Sequence, residues 1–124
     1  MSLAEQSPTG GSRFLVLMAG LCGAAGVALS AAAAHRGGAF TGTAASFLLM
    51  HAPVFLAVGL LAVNRVLRTG AVVLLVGLLL FCGDLLARDF LGSRLFPMSA
   101  PIGGTLLIVG WLAIAASAVA RQRS

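Results

Sequence analysis

Few side chains in this sequence could do chemistry. They are two histidines, His35 and His51, and the carboxylate of Asp84, with Arg88 four residues further on. A spacing of four residues places Asp84 and Arg88 on one face of a helix, where they can form an ion pair. The alternative is that Asp84 meets His35 or His51 in a proton-linked or ligand-binding pocket, because a carboxylate in an apolar segment seeks a partner.

His51 lies inside an apolar segment, so its ring must find a hydrogen-bond partner. A backbone carbonyl or Ser46 is the simplest partner, and Asp84 is the alternative. Neither histidine lies in a pattern with metal-ligand spacing, and Cys22 and Cys82 stand alone in apolar runs. We therefore expect no metal and no cofactor.

Pro101, Gly103 and Gly104 form a second candidate site at the start of a predicted helix. Exposed backbone amides there could bind an anion or a lipid headgroup, and packing of this helix start against the first helix is the alternative. Trp111 is expected to fill space between helices, with its indole N–H bonded to a neighbour.

The composition excludes a soluble globular domain. Of the 124 residues, 60% are hydrophobic and 9% are charged, whereas a soluble domain has roughly a quarter of its residues charged. The eight basic residues are all arginines, placed singly or in pairs at the ends of apolar runs, which indicates membrane-edge anchors and not a nucleic-acid surface. No catalytic motif occurs, so we expect no enzymatic activity.

Four apolar segments must position these side chains, and each is long enough to cross a bilayer. They follow a flexible polar tail of residues 1–12, and the expected spans are residues 14–34, 43–63, 70–87 and 102–120. The sequence therefore predicts an all-α membrane protein, a single four-transmembrane-helix bundle. The first span also has features of a cleavable signal peptide, but its apolar run is too long for one, so we expect it to be retained.

The arginines also predict an orientation. The side shared by the two termini has five arginines and the opposite side has three, which favours both termini in the cytoplasm. His35, His51, Asp84 and Pro101 would then belong to the outer leaflet.

Small residues recur along two of the spans and predict helix packing. In the first span they follow each other every four residues, and in the fourth every seven, which allows close backbone contact. These residues are Cys22, Gly26, Ser30 and Ala34, and then Gly103, Gly110 and Ser117.

Several short motifs together resemble a bacterial membrane family, family 423 of the domains of unknown function, whose eukaryotic relatives are called transmembrane protein 256. ALSAAAAH, from Ala28 to His35, is similar to the GAxGAH segment that ends the family's first helix. The other motifs, in the family's order, are His51–Ala52, LFCGDL from Leu80 to Leu85, PIGG from Pro101 to Gly104, and Gly110–Trp111. The resemblance implies four helices in the inner membrane, no cleaved signal and no known activity. Alanines replace the family's first-helix glycines and aromatic residue, and Asp84 replaces a small polar residue.

Three functions fit these observations. The first is a non-enzymatic structural or assembly component, acting through helix contacts with itself or with a larger membrane complex. The second is a transporter, channel or lipid binder that uses His35, His51 and Asp84. The third is an accessory subunit of a respiratory complex. We rank them in this order, since the small-residue faces support the first and no catalytic motif is present.

Overall fold

The computed structural model describes residues 12–61 and 64–119, which form four helices. These are α1 (Ser12–Arg36), α2 (Thr41–Leu61), α3 (Arg65–Phe90) and α4 (Ser99–Ser117). Each of the four is long and apolar enough to cross a membrane, and the described residues contain no strand. The prediction of an all-α membrane protein with four spanning helices is confirmed.

The four helices form two hairpins. α1 packs along α2, α3 packs along α4, and the hairpins meet mainly through α2 and α3. Within the described ranges no backbone contact joins α1 to α4. The side chains of α1 nevertheless reach the common core, where Leu15 and Cys22 are buried with Phe55, Leu74 and Leu78. Each outer helix thus keeps a broad face toward the lipid.

α3 is longer than the sequence predicts. The segment 64–69, expected to be a loop, is helical from Arg65 because Asn64 caps the helix. The side-chain Oδ1 of Asn64 accepts a hydrogen bond of 2.8 Å from the backbone N–H of Leu67, which satisfies one of the amides that a helix start leaves unpaired. At its other end α3 continues to Phe90, three residues beyond the expected residue 87.

The remaining helix bounds shift by two or three residues. α1 and α2 each begin two residues before the expected positions, and α1 ends two residues later, at Arg36. α4 begins at Ser99, so Pro101 lies within its first turn, where a missing N–H removes no helical hydrogen bond. α4 ends at Ser117, three residues before the expected residue 120. The expected end of α2 at residue 63, and residues 1–11 of the expected tail, lie outside the described residues.

Glycines bring the backbones of α3 and α4 into close contact. A Cβ at Gly77 would lie 2.7 Å from the N of Leu107 and 2.8 Å from the O of Gly103. A Cβ at Gly110 would lie 2.8 Å from the N of Leu74. These approaches leave no space for a side chain, so the fourth-span stripe of Gly103 and Gly110 serves contact within the chain.

The first-span stripe is divided between the interior and the lipid. Gly26 is buried against α2, where a Cβ would lie 2.6 Å from Cγ of Leu49. Ser30 and Ala34, further along α1, are exposed. Only the first part of this stripe therefore packs within the chain.

Candidate functional site

Asp84 joins α3 to the loop that follows it and to the start of α4. Its carboxylate is fully buried, and Oδ1 accepts hydrogen bonds from the hydroxyl of Ser99 at 2.7 Å and from the backbone N–H of Leu95 at 2.9 Å. Oδ2 lies 2.9 Å from Nη2 of Arg88, one helical turn later. The same carboxylate thus neutralises an arginine and fixes the α3–α4 loop.

The guanidinium of Arg88 extends this network toward the first hairpin. Its Cζ lies 5.3 Å from the centre of the Phe40 ring, just before α2, which is the geometry of a cation–π contact. Nε of Arg88 and Oδ2 of Asp84 are buried without an aligned hydrogen bond, so the attraction between the two side chains is mainly electrostatic. Each charged group of this pair therefore has an oppositely charged partner.

A second network at the same end of the molecule is built on Asp89, which sequence reasoning did not single out. Its Oδ2 accepts hydrogen bonds from the backbone N–H of Phe40 at 2.9 Å, from that of Thr41 at 2.6 Å, and from the Thr41 hydroxyl at 2.6 Å. The last turn of α3 therefore supplies the cap for the first turn of α2. A negative charge also stabilises the positive end of the α2 dipole.

Gly38 makes this cap possible. Its backbone has a φ of +100°, which favours glycine, and a Cβ there would lie 2.8 Å from Oδ2 of Asp89. The α1–α2 turn can thus bring its amides to the carboxylate only without a side chain at this position.

His51 and Trp111 form a third, deeper polar contact. His51 is buried, its Nδ1 lies 2.7 Å from the carbonyl oxygen of Phe47, and its Nε2 lies 3.2 Å from the indole Nε1 of Trp111. A carbonyl can only accept and an indole N–H can only donate, so Nδ1 carries the proton and Nε2 accepts. These two bonds define a neutral imidazole in one tautomer, and they connect α2 to α4 across the hairpins.

The structure separates the residues of the expected polar cluster. Asp84 and Arg88 come together, but His51 bonds to Phe47 and Trp111 and not to Asp84. With a rise of about 1.5 Å per residue, His51 lies ten residues inside α2 and Asp84 six residues from the end of α3, about 15 Å and 9 Å deep. His35 is exposed in the last turn of α1, and within the described ranges its side chain forms no hydrogen bond or ion pair with either residue.

The Pro101–Gly104 segment also differs from expectation. α4 packs against α3 and not against α1, and Gly103 is the contact point, since a Cβ there would lie 2.6 Å from the N of Phe81. Pro101 is exposed, and Gly104 has no neighbour within 4 Å of a Cβ position. No polar side chain of the described residues other than the Thr105 hydroxyl bonds to this segment.

Sequence reasoning missed Asp89, Thr41 and Ser99. Threonine and serine are common at helix starts, and both residues do lie at the first position of a helix, so this local signal was available. Asp89 had no such signal, because its partners lie 48 and 49 residues away in the sequence.

Comparison with known proteins agrees with the fold. Residues 19–104 match the sequence profile of a family described as "Protein of unknown function (DUF423)". The chain is 35% identical over 114 residues to a protein of Haemophilus influenzae named "UPF0382 membrane protein", covering 84% of this chain and 91% of that one. No solved structure matches the chain.

Proposed function

The chain belongs to the DUF423 family of membrane proteins, and we propose that it is a non-enzymatic structural component that associates with other transmembrane helices. The outward face of α1 carries this proposal. Four small residues recur on that face, and all are exposed: Gly20, Ala24, Ala28 and Ala31. Small residues let a second helix approach closely, which is the main source of helix association in lipid.

The open space at this face supports the same proposal. A Cβ at Gly20 would have no neighbour within 4 Å, whereas Gly26 on the opposite side of α1 is already packed against Leu49. α1 and α4 are also the two helices least covered by the rest of the chain. We assign the α1 face to a second copy of this chain.

The buried polar residues favour a structural role over transport. Asp84, Asp89 and His51 each bond to groups of neighbouring helices or loops, and these bonds help to hold the four helices together. A transport path would need such groups to face a common cavity. We also propose that the protein lies in the bacterial inner membrane with both termini in the cytoplasm; the five arginines on that side support this orientation.

Cross-linking in native membranes tests the association. In a variant with Cys22 and Cys82 replaced by alanine, Ala24→Cys should give an oxidised dimer of the chain. Val76→Cys on α3 is the matched control, because Val76 is also lipid-exposed but its exposed neighbours one turn away, Val72 and Leu79, are large. Equal, low cross-linking at both positions, together with monomers only in native mass spectrometry, would contradict the proposal.

A further inference from the structure

A small polar cavity lies where the ends of three helices meet. Its volume is about 90 Å³, and it is lined by the end of α1 with the turn after it, the start of α2 and the end of α3. The charged side chains of the lining are Arg36 and Asp89. Because all three elements begin or end here, the cavity lies at the level of the lipid headgroups.

Arg36 offers the cationic half of a binding site. Its Cζ lies 4.9 Å from the centre of the Phe90 ring, so the ring holds the face of the guanidinium. The N–H donors lie in the guanidinium plane and stay available for a ligand. Among the described residues, no carboxylate forms an ion pair with Arg36.

Asp89 offers the anionic half. The three hydrogen bonds from Phe40 and Thr41 all end on Oδ2, and they hold the carboxylate in place. A carboxylate has about four lone-pair positions on its two oxygens, so Oδ1 retains capacity for another donor. Asp89 is half-buried and lines the cavity, so its negative charge is accessible from there.

The two charges together select the ligand. A phosphate alone would be repelled by Asp89, and an ammonium alone would be repelled by Arg36, whereas a zwitterion satisfies both. A primary ammonium donates three hydrogen bonds, but a trimethylated one donates none. We propose that this cavity binds a phosphoethanolamine zwitterion, supplied as the headgroup of a membrane lipid, with its phosphate on Arg36 and its ammonium on Asp89.

Lipid competition measured by native mass spectrometry tests this site. The delipidated protein is offered equal amounts of phosphatidylethanolamine, phosphatidylcholine and phosphatidylglycerol. We expect the wild type to retain phosphatidylethanolamine about threefold over each of the other two, as befits one partly exposed charge pair. Equal retention of the three lipids, or preference for phosphatidylglycerol, would overturn the proposal.

Variants locate the binding. Arg36→Gln should lower the retention of all three lipids, because it removes the contact to the phosphate that they share. Arg94→Gln should keep the wild-type retention, because Arg94 is an exposed arginine of the α3–α4 loop that does not line the cavity. Circular dichroism of both variants checks that the helices are intact. Retention that stays at the wild-type level in Arg36→Gln would place the binding elsewhere and overturn the assignment.

A soluble competitor identifies the source of the headgroup. Phosphoethanolamine without acyl chains, in large molar excess, should fail to displace the retained lipid, since the chains contribute apolar contact along the helices. Displacement by the soluble compound would overturn the lipid assignment. None of these outcomes depends on whether α1 associates with a second copy.

Discussion

Asp89, in the last turn of α3, caps the helix that begins at Thr41, with its Oδ2 2.6 Å from both the backbone N and the hydroxyl of that residue. The cap of one helix thus comes from another helix 48 residues later in the chain. Since these bonds join the end of α3 to the start of α2, the contact fixes the two hairpins relative to each other.

Removal of this cap should destabilise the protein. We expect Asp89→Ala to lower the free energy of unfolding, because the amides of Phe40 and Thr41 lose their acceptor. Unfolding in mixed micelles, followed by circular dichroism, measures the change. Thr105→Ala is the control, since its hydroxyl bonds only to Pro101 of the same helix; equal stability of the two variants would contradict the role of Asp89.

Asp84 should protect the α3–α4 loop from proteolysis. Its Oδ1 holds the backbone N–H of Leu95, directly after the exposed Arg94. We expect Asp84→Ala to speed tryptic cleavage after Arg94 by about 5- to 30-fold, as a loss of 1–2 kcal/mol implies. Mass spectrometry of the fragments gives the rate.

A substitution of Ser99, the hydroxyl partner of Asp84, serves as the control for Asp84→Ala. Ser99→Ala removes one of the two hydrogen bonds to Oδ1 of Asp84 and leaves the ion pair with Arg88 in place. Its cleavage rate should lie between those of the wild type and Asp84→Ala. If all three proteins were cut at the same rate, the loop would not depend on Asp84.

His51 and Trp111 should be energetically coupled. Trp111→Phe leaves Nε2 of His51 buried without a donor, and His51→Phe leaves the indole N–H without an acceptor. A double-mutant cycle should therefore give a coupling of about 0.6–1.7 kcal/mol. Additive effects would mean that the 3.2 Å contact contributes no stability.

Fluorescence gives an independent measure of the same contact. Trp111 is the single tryptophan of the chain, so its emission reports on this site alone. The emission spectrum should shift in His51→Phe and stay as in the wild type in Ser46→Ala, because Ser46 is exposed and makes no side-chain hydrogen bond among the described residues.

Two glycines in neighbouring elements should respond in opposite ways to alanine. Gly77→Ala places a methyl group 2.7 Å from the N of Leu107, so α3 and α4 must separate, at a cost of about 1–3 kcal/mol. Gly104→Ala meets nothing within 4 Å and should leave stability unchanged or raise it by up to about 1 kcal/mol. Thermal unfolding in detergent compares them; a mild Gly77→Ala would contradict the close packing.

The membrane class, the number of spans and the family followed from the sequence because they depend on local properties. A run of about 20 apolar residues indicates a spanning helix whatever surrounds it, and α1 to α4 all obey this rule. The ion pair of Asp84 and Arg88 was also predictable, since its spacing of four residues lies within one helix.

The tertiary structure decided where the remaining polar groups bond. The partner of His51 lies 60 residues away in Trp111, and Asp89 reaches 48 residues back to Thr41. Such contacts depend on which helices are neighbours and how each is rotated about its axis. In all four spans the apolar residues are spread around the helix axis. The pattern of residues therefore specifies neither which helices are neighbours nor how each helix is rotated. The fit between helix surfaces, at glycines such as Gly77 and Gly103, decides which helices pack closely. That fit depends on residues from two helices at once, so only the tertiary structure shows it.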